Sequence, residues 1–234
     1  RYNDVSNDER EVLWREVKEM YRAIDEIVGK TLDNADKDTL VVFSSDHGAI
    51  PLNSSVLLNN LFARKGWISY DINPKTGEAN IDWEKSKVVF LKMSNIYINP
   101  NGLGPVYKRG VGPAYEKLRE EVIDALRSLK DSNGIDPLEA VVKWEDVGKQ
   151  LKLPSDRTGD LVVANKAGFG WAEYITSDMK IFVTPLETGY KQAILADKVR
   201  GLWAPFIIVG KGIKKNYALR QPIRHVDQLP TIFR

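Results

Sequence analysis

The spacing of apolar and polar residues changes along the chain between a helical period and short continuous runs, which indicates a mixed α/β protein. Apolar residues recur at three- and four-residue steps from Val12 to Leu32, and this spacing predicts a long amphipathic helix. Ser6 followed by Glu9 predicts a capping box at its first turn. The chain is therefore expected to open with a capped helix.

Short apolar runs and amphipathic segments follow this helix. The runs that predict strands buried on both faces, as in a parallel sheet, are 39–43, 160–164 and 205–210. Further strands are predicted at 87–91, 96–98 and 138–144, and further helices at 54–64, 115–129 and 226–233. The polar stretch 71–80 is typical of a loop or hairpin tip, and 168–171 of a turn.

This order of elements predicts an α/β fold with a mostly parallel sheet sandwiched by helices and a small inserted α+β cap. We expect three segments. Residues 1–80 form the first part of the core, and residues 81–150 form the cap. Residues 151–234 return the chain to the core.

Composition excludes several classes of function. Among 234 residues, Lys and Arg exceed Asp and Glu by only two charges, so nothing favours a nucleic-acid polymer as partner. The absence of Cys excludes disulfides, thiolate metal sites and a Cys nucleophile, and two His exclude a His-rich metal cage. No apolar run approaches the ~20 residues of a membrane span, and no signal peptide is visible. The compartment stays open, with the cytoplasm favoured.

Asp46 and His47 are the strongest candidates for chemistry. They follow the predicted strand 39–43, and ligands of open α/β sheets bind beyond the carboxyl ends of strands. A carboxylate oxygen and a neutral imidazole nitrogen are natural ligands of zinc and similar divalent ions. The alternative is a strand-end Asp that caps the next segment, with the His packed against it.

His225 is the other histidine. It lies between the last predicted strand and the final helix, which places it near the same edge of the sheet. His225 is a candidate metal ligand or hydrogen-bond partner of a phosphate, and the alternative is a helix-start residue without a functional role. Lys191 and Arg224 are further candidate phosphate contacts by charge, with solvated surface charges as the alternative.

Residues 41–48, Val-Val-Phe-Ser-Ser-Asp-His-Gly, resemble the Ser-Asp-His-Gly motif of the alkaline phosphatase superfamily. The closer similarity is to its type I phosphodiesterase/nucleotide pyrophosphatase branch. Weaker similarities follow in chain order and span nearly the whole chain: 21–32, 59–68, 81–99, 106–129, 141–146, 159–163, 205–214 and 226–232.

The resemblance implies an incomplete alkaline phosphatase-like core and a hydrolase of phosphoric esters. Such enzymes use two metal ions, usually zinc, and a Thr or Ser nucleophile. Asp46 and His47 match the Asp-His pair that binds the nucleophile's metal. The family's nucleophile and its remaining upstream ligands have no counterpart here and are expected upstream of Arg1, so we expect no hydrolysis by this chain alone. Truncation of the core also predicts an exposed apolar surface and self-association.

One departure concerns the family's Gly-x-His ligand, because the corresponding stretch 187–192 contains no His. We therefore carry three hypotheses. The first is part of a metal-dependent phosphodiesterase or pyrophosphatase acting on a small phosphate ester or nucleotide. The second is a sulfatase or phosphomutase of the same superfamily. The third is a non-catalytic relative that binds a partner.

Overall fold

The computed structural model describes residues 5–91, 94–185, 189–190, 195 and 197–233. Its helices are α1 (Asn7–Asp33), α2 (Leu58–Arg64), α3 (Pro113–Arg127), α4 (Val147–Gln150) and α5 (Gln228–Ile232). Its strands are β1 (Val41–Ser44), β2 (Ile50–Leu57), β3 (Tyr70–Ile72), β4 (Ala79–Ile81), β5 (Val88–Leu91), β6 (Asn95–Ile98), β7 (Leu138–Lys143), β8 (Leu161–Asn165), β9 (Gly168–Ala172), β10 (Phe182–Val183), β11 (Gly189–Tyr190) and β12 (Phe206–Val209). Short 3₁₀ turns lie at Ser155–Arg157, Arg200–Leu202 and His225–Asp227. The protein is thus a mixed α/β chain.

The chain divides into two compact units. The first unit comprises Arg1–Gly48 with Leu202–Arg234, and the second comprises Ala49–Gly201. The first therefore holds α1, β1, β12 and α5, and the second holds the remaining sheets and helices.

Helix α1 confirms the predicted capping box. The Ser6 hydroxyl oxygen accepts from the Glu9 backbone N–H at 3.3 Å, and the Glu9 carboxylate accepts from the Ser6 N–H at 2.9 Å. The helix has no buried residue, and its apolar side chains are exposed, among them Trp14, Tyr21 and Ile27. This agrees with the expected exposed apolar surface, while self-association stays a prediction. In the described part of the chain, no helix is long and apolar enough to cross a bilayer.

Strand β1 differs from the prediction of a strand buried on both faces in a parallel sheet. It pairs antiparallel with β12, with Val41 opposite Val209 and Ser44 opposite Phe206. Both strands are only partly buried, and Ile207 is 55% exposed. The apolar runs predicted the strands correctly, but a two-stranded ribbon leaves much of each face uncovered. The expected parallel environment for 39–43 and 205–210 is therefore wrong.

The second unit contains a four-stranded sheet in the order β5-β6-β8-β7, and all its pairs are antiparallel. It confirms the predicted strands at 87–91, 96–98 and 138–144. Helix α3 contributes its apolar face to the same core, which includes Phe62, Ile96, Leu126 and Val163. Strand β8 is buried along its whole length, as predicted, but its neighbours are antiparallel.

Strand β2 occupies the first residues of the helix that the sequence predicts over 54–64, so this part of the prediction is wrong. It pairs in parallel with β9 and antiparallel with β10 and β11, while α2 begins only at Leu58. Strand β9 likewise occupies the predicted turn 168–171. Strands β2 and β9 form because they hydrogen-bond to each other. This pairing cannot be predicted from the local strand propensity of either segment. Among the described strands this is the one parallel pair, so the predicted mostly parallel sheet is not formed by these residues.

Asp160 forms a buried polar centre beside β8. Its fully buried carboxylate accepts hydrogen bonds from the Ile98 N–H at 2.5 Å, the Tyr107 hydroxyl at 2.5 Å, the Tyr115 hydroxyl at 2.7 Å and the Arg109 Nε–H at 3.1 Å. Burial and the carboxylate raise the pKa of Tyr107 and of Tyr115, so both hydroxyls stay protonated donors. One carboxylate thus ties the loop between β6 and α3 to the sheet.

We predict that Asp160→Asn lowers the free energy of unfolding by about 3 kcal/mol, because Arg109 and two hydroxyls lose their buried anionic acceptor. Urea denaturation measures the change. Asp124→Asn, on the exposed face of α3, is the matched control and is expected to stay within about 0.5 kcal/mol of the parent. Equal stability of the two variants would contradict the role of Asp160.

Candidate metal centre

The candidate residues Asp46 and His47 lie in the turn that follows β1. The turn is held by short-range hydrogen bonds: the Ser45 hydroxyl donates to the His47 carbonyl oxygen at 2.9 Å, and the His47 N–H donates to Asp46 Oδ1 at 3.1 Å. These contacts fix the backbone between the two neighbouring candidate side chains. The sequence motif therefore adopts a defined local geometry.

The two side chains face each other. Asp46 Oδ2 lies 3.0 Å from His47 Nε2, and the Asp46 side chain is 78% exposed while that of His47 is 35% exposed. Both groups are therefore open to a ligand from solvent. The structure thus brings together the carboxylate and the imidazole that the sequence predicted as a pair.

The protonation of His47 follows from its second nitrogen. His47 Nδ1 lies 2.7 Å from the Gly48 carbonyl oxygen, which accepts but does not donate, so Nδ1 carries the proton. In the neutral ring, Nε2 then carries a lone pair, which is directed at Asp46 Oδ2. A proton or a cation shared between Nε2 and Oδ2 would stabilise this close approach of two acceptors.

This donor set fits a divalent metal. Two ligands of a tetrahedral zinc ion, with bonds of about 2.0–2.1 Å, lie roughly 3.3 Å apart, close to the 3.0 Å between Asp46 Oδ2 and His47 Nε2. A ligating His also typically donates its other N–H to a carbonyl or carboxylate, as His47 does to Gly48. Asp46 and His47 would therefore form one side of a metal site.

Within the residues described, no cluster of three or more His, Cys, Asp or Glu side chains is arranged to hold a metal. Most of the stretch 187–192, where the family places its Gly-x-His ligand, lies outside the described residues, as does Lys191. The pair at 46–47 is thus the candidate ligand pair among the described residues.

His225 is linked to the same end of β1. Its Nδ1 lies 3.3 Å from Gln228 Nε2, and Gln228 Oε1 accepts from the Ser44 hydroxyl at 3.2 Å. Ser44 is two positions before Asp46 in the chain. The expected placement of His225 near the strand end is thus supported by a chain of two hydrogen bonds.

Arg224 forms an ion pair with Asp227, three residues further along the chain. Its guanidinium donates to both carboxylate oxygens of Asp227, at 3.0 and 2.9 Å. This pairing lowers the pKa of Asp227 and raises that of Arg224. Its charge is therefore partly neutralised, which weakens the case for Arg224 as a phosphate contact.

Sequence reasoning missed Gln228 and the Gly48 carbonyl. A backbone carbonyl leaves no signal in a sequence, and a single Gln has no pattern that links it to a residue 184 positions away. These partners could be recognised only after folding placed them beside the two imidazoles.

Residues 7–191 match the model of the family described as type I phosphodiesterase / nucleotide pyrophosphatase, and the chain belongs to this family. The family is part of the alkaline phosphatase superfamily, as the Ser-Asp-His-Gly resemblance implied.

Other comparisons add less. No curated protein matches the chain. Two solved structures of phosphonoacetate hydrolase from Sinorhizobium meliloti 1021, in complex with phosphonoformate and with phosphonoacetate, are each 14% identical to it, with a TM-score of 0.41. The alignments cover 76% of this chain and 38% of the hydrolase chain. The aligned part of the present chain thus spans well under half the length of these hydrolase chains.

We predict that Zn²⁺ binds the chain through Asp46 and His47, and that Asp46→Asn or His47→Ala weakens this binding at least roughly 10- to 100-fold. Isothermal titration with ZnCl₂ measures the affinity. Asp38→Asn is the matched control, since this exposed carboxylate pairs with Lys211 at 2.7 Å and is expected to leave zinc affinity unchanged. Equal losses in all three variants would point to non-specific binding by surface carboxylates.

Proposed function

We propose that this chain is part of a metal-dependent hydrolase of phosphoric esters. The observation that carries the proposal is the 3.0 Å separation of Asp46 Oδ2 and His47 Nε2, in a member of the type I phosphodiesterase/nucleotide pyrophosphatase family. The family supports hydrolysis of phosphoric esters as the class of reaction. The metal mechanism is our own inference from the pair.

The residues of the turn have separate roles in this proposal. Asp46 provides an anionic oxygen and His47 a neutral nitrogen, so together they balance part of a divalent charge. Gly48 orients the imidazole by accepting from Nδ1, and Ser45 braces the turn through the His47 carbonyl. When bound, the metal would supply Lewis-acid activation of a nucleophile or stabilisation of developing negative charge.

We further propose the finer features that the resemblance implies. These are a two-metal mechanism, zinc as the metal, and a Thr or Ser nucleophile contributed by a longer protein outside residues 1–234. The substrate is a small phosphate ester or nucleotide, and the compartment stays open, with the cytoplasm favoured. We assign β5, β6, α3 and β7, which lie within residues 81–150, to the cap, and retain the division at residues 80 and 150 as a prediction. Their sheet partner β8 then belongs to the returning segment.

Two alternatives are tested against this proposal. A sulfatase or phosphomutase would use the same Asp-His pair with another ester or acceptor. A non-catalytic relative would bind a partner, and the single ligand pair within the described residues is the observation in its favour. It predicts neither bound transition metal nor hydrolysis in the longer protein.

We predict that a longer protein containing this chain hydrolyses a chromogenic phosphodiester, and that Asp46→Asn lowers kcat/KM at least roughly 100-fold, because a metal ligand is lost. The measurement is metal analysis together with parallel assays of phosphodiester and sulfate-ester substrates. The exposed-site variant Asp38→Asn is expected to retain activity. Unchanged activity in Asp46→Asn would refute the assignment, and faster turnover of the sulfate ester would favour the sulfatase.

The isolated 234-residue chain is predicted to show negligible turnover in the same assay, since it presents one ligand pair among the residues described. Robust hydrolysis by the purified chain would contradict the proposed need for a nucleophile from a longer protein.

A further inference from the structure

The backbone of Gly48 is held at both of its polar groups. Its carbonyl oxygen accepts from His47 Nδ1 at 2.7 Å, and its N–H donates to the Leu202 carbonyl oxygen at 2.9 Å. Leu202 lies in the 3₁₀ turn Arg200–Leu202, and its side chain is buried. The residue that orients the His47 ring is therefore anchored on a distant segment of the chain.

Gly201, in the middle of this 3₁₀ turn, has no room for a side chain. A Cβ atom added to it would lie 2.8 Å from Ile50 Cγ2 and 3.6 Å from the Ala49 carbonyl oxygen. Carbon atoms in good contact are about 3.5–4.0 Å apart, so a methyl group here would push the turn away from Ile50. The φ angle of Gly201 lies outside the left-handed region, so the close approach, and not the backbone conformation, is what excludes a side chain.

These two contacts are connected by short pieces of covalent chain. The hydrogen bond between Gly48 and Leu202 lies within the first unit, and the approach of Gly201 to Ile50 lies within the second. Gly201 and Leu202 are consecutive, and Ile50 follows Gly48 by two positions. A displacement of Gly201 from Ile50 is therefore passed through one peptide bond to the carbonyl group that holds Gly48.

We propose that Gly201 is a positioning residue of the metal site. Its missing side chain allows the close approach through which the Leu202 carbonyl holds Gly48, and Gly48 in turn orients the His47 imidazole toward Asp46. This inference rests on the proposed function, because it takes Asp46 and His47 to be the metal ligands. It assigns the effect of Gly201 to His47, because the Gly48 carbonyl contacts that ring.

The first test is Gly201→Ala, measured by isothermal titration of the chain with ZnCl₂. We expect zinc affinity to fall about tenfold, because removing the outer support of a ligating His typically costs about 10- to 100-fold. Gly29→Ala in α1 is the matched control, since no atom lies within 4 Å of its added Cβ, and it is expected to bind zinc like the parent. Urea denaturation of each variant verifies that it is folded.

Substitutions at Ile50 test the steric cause. Ile50→Leu removes the Cγ2 branch at nearly constant volume, and in combination with Gly201→Ala it is expected to restore zinc affinity to within about twofold of the parent. Ile50→Val keeps both branches at Cβ and is expected to give no restoration. Failure of Ile50→Leu to restore the affinity would overturn the proposed cause.

Double-mutant cycles separate positioning of His47 from a general loss of stability. The effect of Gly201→Ala on zinc affinity is expected to disappear in the His47→Ala background, where no imidazole remains to be oriented. It is expected to persist in the Asp46→Asn background. A substitution that only destabilised the fold would weaken zinc binding equally in both backgrounds.

The outcomes distinguish this inference from the proposed function. Zinc affinity like that of the parent in Gly201→Ala, or equal losses in the two backgrounds, would overturn the inference and leave the proposed metal site intact. If Asp46→Asn and His47→Ala both bound zinc like the parent, the metal site itself would be refuted, and the inference with it.

Discussion

The antiparallel pairing of β1 with β12 is the constraint on which the candidate site depends. It ends β1 at Ser44, so the turn 45–48 begins where the ribbon stops. After β12 the chain returns to this end, where Gln228 meets Ser44. The pairing thus brings Gln228, and His225 with it, to the end of the strand that leads into Asp46 and His47, although these residues are far apart in sequence.

Within the turn 45–48, one neutral group sets how His47 can act. The Gly48 carbonyl oxygen accepts from His47 Nδ1, so the other ring nitrogen, Nε2, faces Asp46 Oδ2 at 3.0 Å. The contact with Gly48 does not change the net charge of the turn. It nevertheless directs the Nε2 lone pair of a neutral ring toward the position that a cation shared with Asp46 would take.

The sequence predicts local structure well where the signal is local. The capping box of α1 needs only Ser6 and Glu9, and the hairpin β3–β4 follows from the polar stretch between Tyr70 and Ile81. The partners β2 and β9 were misassigned because their parallel pairing joins segments more than 100 residues apart, and that contact has no local signal. The apolar run of β1 was read as doubly buried, whereas the ribbon exposes Phe43.

The same distinction holds at the site. Asp46 and His47 are adjacent in sequence and follow a strand, so the motif was enough to select them. The direction of the His47 ring depends on a backbone carbonyl, and the placement of His225 depends on a glutamine that becomes a neighbour of Ser44 only through tertiary structure. Sequence alone therefore left His225 between a metal ligand and a phosphate contact.

The most direct test of the account is the position of a zinc ion in crystals of the chain grown with ZnCl₂ and measured at the zinc absorption edge. We predict an anomalous peak about 2.0–2.2 Å from both Asp46 Oδ2 and His47 Nε2. The absence of a peak beside the Asp46–His47 pair at full zinc loading would contradict the account.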